Sequence, residues 1–150
     1  LHRRQPRKGT AIPYISHLLA VSSLVLEHGG DETEAIAALL HDAAEDQGGK
    51  ARLEEIHDHF GEAVARIVEH CTDAWTDPKP EWRTRKEAYI AALTHKPAPS
   101  LRVSLADKTH NAEAILRDYL REGGRRSRGS MVGWKGRGGI TARCCGSSSG

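Results

Sequence analysis

The sequence predicts an all-α protein, and three observations predict it. Apolar residues recur near a 3.6-residue period in most segments, alternating runs are almost absent, and glycines or prolines break the pattern at helix-length intervals. The first helix spans Ile15 to Glu27, with Leu18, Leu19, Val21, Leu24 and Val25 recurring along it until Gly29-Gly30 stops the run. Asp31 then serves as an N-cap, with Glu34 three residues on in a capping-box pattern. The helix it opens carries Ile36, Ala37, Leu39 and Leu40 and ends near a polar cluster. Arg52 to Phe60 makes a third helix, broken by Gly61. Ala63 to Cys71 follows, with Val64, Ile67, Val68 and Cys71 on one face. Pro78 and Pro80 mark a loop, Glu81 to Leu93 is helical, Pro97 and Pro99 break that run, and Leu101 to Leu120 forms the longest helix. Leu101 to Leu105 alone has strand-like composition, and it is too short to pair usefully by itself.

At 150 residues the chain has length for one domain and one core. It divides at about residue 122. From Gly123 onward it has no usable periodicity and holds nine of the fifteen glycines. A segment of that composition cannot bury enough apolar surface to offset chain entropy, so residues 123–150 read as a disordered or irregular tail. The net charge of +2 is unevenly spread: six of the 22 Lys/Arg and none of the 20 acids lie in residues 125–150, leaving residues 1–124 at −4. A nucleic-acid binder shows its basic face on the folded part, so no nucleic-acid partner is expected. No apolar run approaches the roughly 20 residues of a membrane span, and no signal pattern opens the chain. Cys71 and the adjacent pair Cys144 and Cys145 form neither a disulfide framework nor a zinc spacing, which fits a reducing cytoplasm. The chain opens on Leu1 rather than Met, as a fragment or a processed product would.

The chemistry concentrates in "ALLHDAAED", Ala38 to Asp46. His41 and Asp42 offer an imidazole nitrogen and a carboxylate from one short stretch of backbone. Neighbours on a helix point about 100° apart, so the two converge on one ion only at a helix end. His17 on the first helix and Asp107 on the last complete a mixed N/O set. Singly, each has an ordinary reading: a surface pair, a half-buried histidine, a cap for the last helix. Together, embedded in apolar sequence, they point to a metal, because burying Asp42 and Asp107 without a cation or donor is costly. In a continuing helix Glu45 and Asp46 fall one turn beyond His41 and Asp42, where an acid or base would orient a water. As a plain acidic helix C-terminus they would oppose the helix dipole. Tyr14, one turn before His17, edges the same pocket, while Tyr14, Phe60 and Trp75 read as core or loop anchors.

The stretches "RKGTAIPYISH", "AALLHDAAED", "FGEAVARIVEHCTD" and "SLADKTHNAEAIL" together resemble the HD-domain phosphohydrolases, specifically the RelA/SpoT hydrolase branch and its small stand-alone SpoT-like members. The likeness runs over residues 2 to 120, in order and spacing. It implies an HD-domain helical bundle binding one divalent cation, usually Mn2+, through His17, His41, Asp42 and Asp107. It implies that Glu45 and Asp46 are the catalytic acidic pair, and that Arg7, Lys8 and Asn111 face the nucleotide. The activity it implies is removal of the 3′-pyrophosphate from guanosine 3′,5′-bis(diphosphate), ppGpp, or a similar small nucleotide, with the oligomeric state left open. Cations at a polyphosphate pocket are physically sensible.

The sequence also departs from the pattern. Gln47 stands where relatives have Thr, and His110 where Tyr or another residue is frequent. His2 corresponds to a histidine near the end of a first helix that begins before residue 1. Residues 139–142, Gly-Ile-Thr-Ala, are what TGG TAT TAC CGC encodes when read one base late, and Trp-Tyr-Tyr-Arg closes many relatives. Residues from about 121 onward therefore read as a frameshifted helix, which the nucleotide sequence decides. The alternatives to a ppGpp hydrolase are an HD nucleotidase or phosphomonoesterase, a non-catalytic HD nucleotide-binding module, and a truncated product without a stable fold.

Overall fold

The computed structural model describes residues 5–7, 9–46, 48–73, 75 and 81–121, without the side chain of Asp46. Lys8, Gln47, the Pro78–Pro80 loop and the 123–150 tail with Cys144 and Cys145 lie outside the described residues. Those described form seven helices: α1 (Ile15–Glu27), α2 (Glu32–Leu40), α3 (Ala43–Asp46), α4 (Gly49–Phe60), α5 (Glu62–Cys71), α6 (Trp82–Leu93) and α7 (Ala98–Arg121). The all-α expectation holds: there is no strand among the described residues, only an isolated bridge between Pro6 and Pro13. No described helix is long and apolar enough to cross a membrane.

The packing centres on α1, α2, α5 and α7. α1 lies against α2 and α7, α2 against α5 and α7, α5 against α4 and α7, and α3 against α4 and α5. Val21, Val25, Val68 and Val103 meet in the middle, fully buried, with Ala37, Ala38, Ala43 and Ala44 allowing close helix approach. Each such valine contributes about 1.5–3 kcal/mol by burial. α1 stops where expected: Gly29, at φ 77°, adopts a left-handed conformation, and Gly30 approaches the Val25 side chain too closely for a Cβ. Asp31 caps α2 by accepting from the Glu34 N–H at 2.9 Å. The Glu34 carboxylate is buried and pairs with Arg102 on α7, so it ties two helices together.

Several expectations are corrected. The helix does not continue through the polar cluster: α2 ends at Leu40, His41-Asp42 form a turn, and α3 restarts at Ala43. α7 begins at Ala98 rather than Leu101, because Pro99 in a first turn lacks only an N–H that would be unpaired anyway. The strand-like stretch is helical there, so Val103 is buried while Leu105 is 67% exposed on the opposite side. Phe60 is no core anchor; it is 49% exposed at the end of α4. Tyr14 is buried, and Trp75 packs partly against the core, as expected.

Candidate metal centre

Two helices and one turn deliver four side chains to a single point. His17 comes from the first turn of α1, His41 and Asp42 from the turn after α2, and Asp107 from the middle of α7. His17, His41 and Asp42 each aim one ligand atom into a common volume, with all three atoms within 4.8 Å of one another. Asp107 Oδ1 lies 3.3 Å from His17 Nε2 and 3.7 Å from His41 Nε2. His17, His41 and Asp107 are buried and Asp42 is half-buried. The end of α2 at Leu40 lets the His41 and Asp42 side chains turn to one side, the convergence that a continuous helix would forbid.

The partners of His41 assign its tautomer. His41 Nδ1 lies 2.7 Å from the Ala38 carbonyl oxygen, which can only accept, so Nδ1 carries a hydrogen and donates it. Nε2 then points inward, buried and without a hydrogen-bond partner. Its nearest carboxylate oxygens, Asp42 Oδ2 at 3.4 Å and Asp107 Oδ1 at 3.7 Å, lie beyond hydrogen-bond length. Burial by itself would lower the pKa of this imidazole, but the Asp42 and Asp107 carboxylates hold it up at about 9. The position is thus set to hold positive charge. For Asp107, burial acts to raise the pKa, but His17, His41 and the Lys108 ammonium keep it well below the usual carboxylate range. Two imidazole nitrogens and two carboxylates, with one nitrogen orphaned and buried, fit a divalent metal ion.

An outer layer holds these groups. The Tyr14 hydroxyl donates to Asp42 Oδ2. Lys108 Nζ donates to Asp107 Oδ2 at 2.5 Å, and Asn111 Nδ2 to Asp107 Oδ1 at 2.5 Å. Arg7 reaches α7 from a tight turn in which Gly9 adopts φ 75° and Thr10 Oγ1 donates to the Arg7 carbonyl. Its guanidinium donates Nη1 to His110 Nδ1 at 3.2 Å and Nη2 to Asn111 Oδ1 at 3.1 Å. His110 is buried, and desolvation, with His17 and Arg7 beside it, lowers its pKa to about 4.

Glu45 sits on α3, the helix that follows the His41-Asp42 turn, and accepts from the Asp73 N–H at 3.4 Å. Asp46 belongs to the same short helix, its side chain outside the described residues. Of the residues read as facing a nucleotide, Arg7 and Asn111 are joined to each other and Lys8 is not described. The sequence did not single out His110 as a contact of His17, nor Lys108 as the partner of Asp107. The signal for His110 is its place three residues after Asp107 on the same helix face.

An HD domain family model matches residues 1–126. The chain belongs to the HD domain family. It is 41% identical over 123 residues to the guanosine-3′,5′-bis(diphosphate) 3′-pyrophosphohydrolase MESH1 of Xenopus tropicalis, and 39% identical to the human protein of that name. Each alignment covers 80% of this chain and 64% of the relative, so the chain spans less than two-thirds of the length of these curated relatives. A bacterial guanosine-3′,5′-bis(diphosphate) 3′-pyrophosphohydrolase, from Aquifex aeolicus, is 48% identical over 115 residues, covering 76% of this chain and 16% of that protein. Among solved structures, a metazoan orthologue of SpoT described as hydrolysing ppGpp matches with TM-score 0.66 and 32% identity, over 80% of this chain and 64% of that one. The Listeria monocytogenes protein lmo0812 matches with TM-score 0.63 and 28% identity, over 75% and 68% of the two chains.

Proposed function

We propose that this chain is a divalent-metal-dependent phosphohydrolase that removes the 3′-pyrophosphate of ppGpp or a similar nucleotide, leaving a nucleoside 5′-diphosphate and pyrophosphate. The observation that carries the reading is the convergence of His17, His41, Asp42 and Asp107 on one point, with the His41 Nε2 buried there and unpartnered. The naming of the longer relatives as ppGpp 3′-pyrophosphohydrolases supports the substrate class.

In this reading His17, His41, Asp42 and Asp107 hold the cation, with Mn2+ the preferred ion. Bound there, the cation supplies Lewis acidity toward a phosphate oxygen and toward the attacking water. Asp107 keeps its negative charge with Lys108 and Asn111 donating to it, and the Tyr14 hydroxyl orients Asp42 by donating to Oδ2. Glu45 and Asp46, on the short helix that follows the His41-Asp42 turn, orient the attacking water and receive its proton. Arg7, Lys8 and Asn111 meet the phosphates at the entrance, where fork-shaped and point-charge donors suit a polyphosphate. The catalytic domain is residues 1–122, acting in the cytoplasm, and the tail plays no part.

The test is pyrophosphate release from ppGpp by the full chain, with and without Mn2+, beside Asp42→Ala. Release that needs Mn2+ and falls at least 100-fold in Asp42→Ala is expected. Release that survives chelation, or is unchanged in Asp42→Ala, overturns the metal-dependent reading. Bound Mn2+ without release from ppGpp overturns the substrate and leaves an HD phosphomonoesterase or a binding module.

A further inference from the structure

We propose that His110 is a positioning residue that fixes the tautomer of His17, and that Arg7 fixes the hydrogen-bonding sense of His110. The inference rests on the metal-centre reading above. His110 Nδ1 meets two groups: Arg7 Nη1 at 3.2 Å and His17 Nδ1 at 2.8 Å. A guanidinium has donors and no acceptor, so His110 Nδ1 must accept and carries no hydrogen. The His17–His110 contact then has one possible direction: His17 Nδ1–H donates. His17 Nε2 is left with its lone pair, and it is this atom that faces Asp107 Oδ1 at 3.3 Å.

The chain Arg7, His110, His17 therefore does for the first helix what the Ala38 carbonyl does for His41. Both imidazoles are held with a hydrogen on Nδ1 and with Nε2 directed at the centre. The two devices differ in kind. Ala38 is backbone three residues away, fixed by α2 itself. His110 is a side chain 93 residues away, held in turn by Arg7 from the turn that precedes α1. The rings of His17 and His110 lie 5.0 Å apart, tilted by 39°, close enough to exclude water between them. Arg7 grips α7 twice, since its other nitrogen engages Asn111, which donates to Asp107. One guanidinium thus braces two of the four candidate ligands through one intervening side chain each. Partners of this kind orient a metal ligand, and their loss costs metal affinity about 10–100-fold.

The test uses the full chain with Arg7 intact and two variants. His110→Phe keeps a ring and removes the acceptor; His110→Asn places an acceptor oxygen near the lost Nδ1. The first readout is the His17 ring tautomer in metal-free protein, from long-range 1H–15N spectra assigned with His17→Gln. The parent and His110→Asn are expected to show Nδ1–H, and His110→Phe a mixture. The second readout is Mn2+ affinity by electron paramagnetic resonance, expected to weaken 10–100-fold in His110→Phe and to recover to within about fivefold of the parent in His110→Asn. An Nε2–H tautomer for His17 in the parent overturns the proposal, whether or not either variant folds. So does a folded His110→Phe that binds Mn2+ within twofold of the parent. A parent that shows Nδ1–H but binds no Mn2+ supports the relay and overturns the metal-centre reading instead.

Discussion

α5 and α6 differ by only two residues in length, yet they are attached to the molecule in opposite ways. α5 buries Val64, Ala65, Ile67 and Val68 along one stripe, at the spacing that puts side chains on a single helix face. α6 buries no residue. It is attached mainly through charged groups: Arg85 Nη1 donates to Asp73 at 2.5 Å, Lys86 donates to the same carboxylate, and Lys108 Nζ of α7 stands 5.5 Å from the Tyr89 ring centroid. Asp73 in turn offers its backbone N–H to Glu45. The comparison separates a frame from a rim. The helices that place His17, His41 and Asp107 are held mainly by apolar packing, which pH leaves largely untouched, with the Glu34–Arg102 pair beside it. α6 is held through ion pairs, which respond to both pH and salt.

The largest effect should come from the frame. Val68 is fully buried where α5 meets its neighbours. Val68→Ala removes two methyl groups from a close-packed site and should cost about 2 kcal/mol, read as a lower midpoint in urea at unchanged slope. The same variant should also weaken Mn2+ binding, because α5 supports both α2 and α7, which carry ligands. A loss below about 0.5 kcal/mol would mean that α5 is no more tightly held than α6, and the contrast would collapse.

Asp73 tests the rim, with a smaller expected effect. Its side chain is 5% exposed and its partners are partly solvated, so Asp73→Asn should cost about 1–2 kcal/mol near neutral pH. Burial acts to raise the Asp73 pKa, but Lys86 and Arg85 outweigh it and hold the group below its ordinary value of 3.8. A carboxylate with a depressed folded pKa stabilises the fold at pH above its unfolded value, and that stability is lost as pH falls through the folded value. Denaturation of parent and Asp73→Asn compared from pH 7 to pH 2 should therefore show a gap that is constant down to about pH 4 and closes below it. A gap that persists at pH 2, or that opens as the pH falls, would show that Asp73 acts by shape rather than charge.

The frame was legible in the sequence because apolar periodicity is what packs it. The run through Val64, Ile67 and Val68 named a buried face, and Gly29-Gly30 and Gly61 named the breaks. His17, His41, Asp42 and Asp107 were legible as candidates because each sits in apolar sequence where an unpaired polar group would be costly. The outer layer was not, since its pairings join residues whose separation no local pattern encodes. Arg7 to His110 spans 103 positions, and His17 to His110 spans 93. The end of α2 was legible too, since the run stops near the polar cluster; what the sequence did not show is that a separate short helix, α3, restarts at Ala43 after the His41-Asp42 turn. α6 was read correctly as a helix, but its period gave no hint that its inner face would be ionic rather than apolar.

The smallest expected effect sharpens that last point. Ile90 lies on α6 with 64% of its surface exposed, the kind of apolar residue that would normally mark a buried stripe. If α6 is held by charge alone, Ile90→Ser removes nothing that packs, and helix propensity changes little between the two residues. The melting temperature should move by no more than about 2 °C, matching a stability change within about 0.5 kcal/mol, and Mn2+ affinity should not change. A loss above about 1 kcal/mol would show that this face of α6 has an apolar partner in solution. A loss that grows on dilution would identify that partner as a second copy of the chain, because only an intermolecular contact depends on concentration. Concentration-independent loss would place the contact within the chain, and the ionic account of α6 would then have to share its role with a packed face.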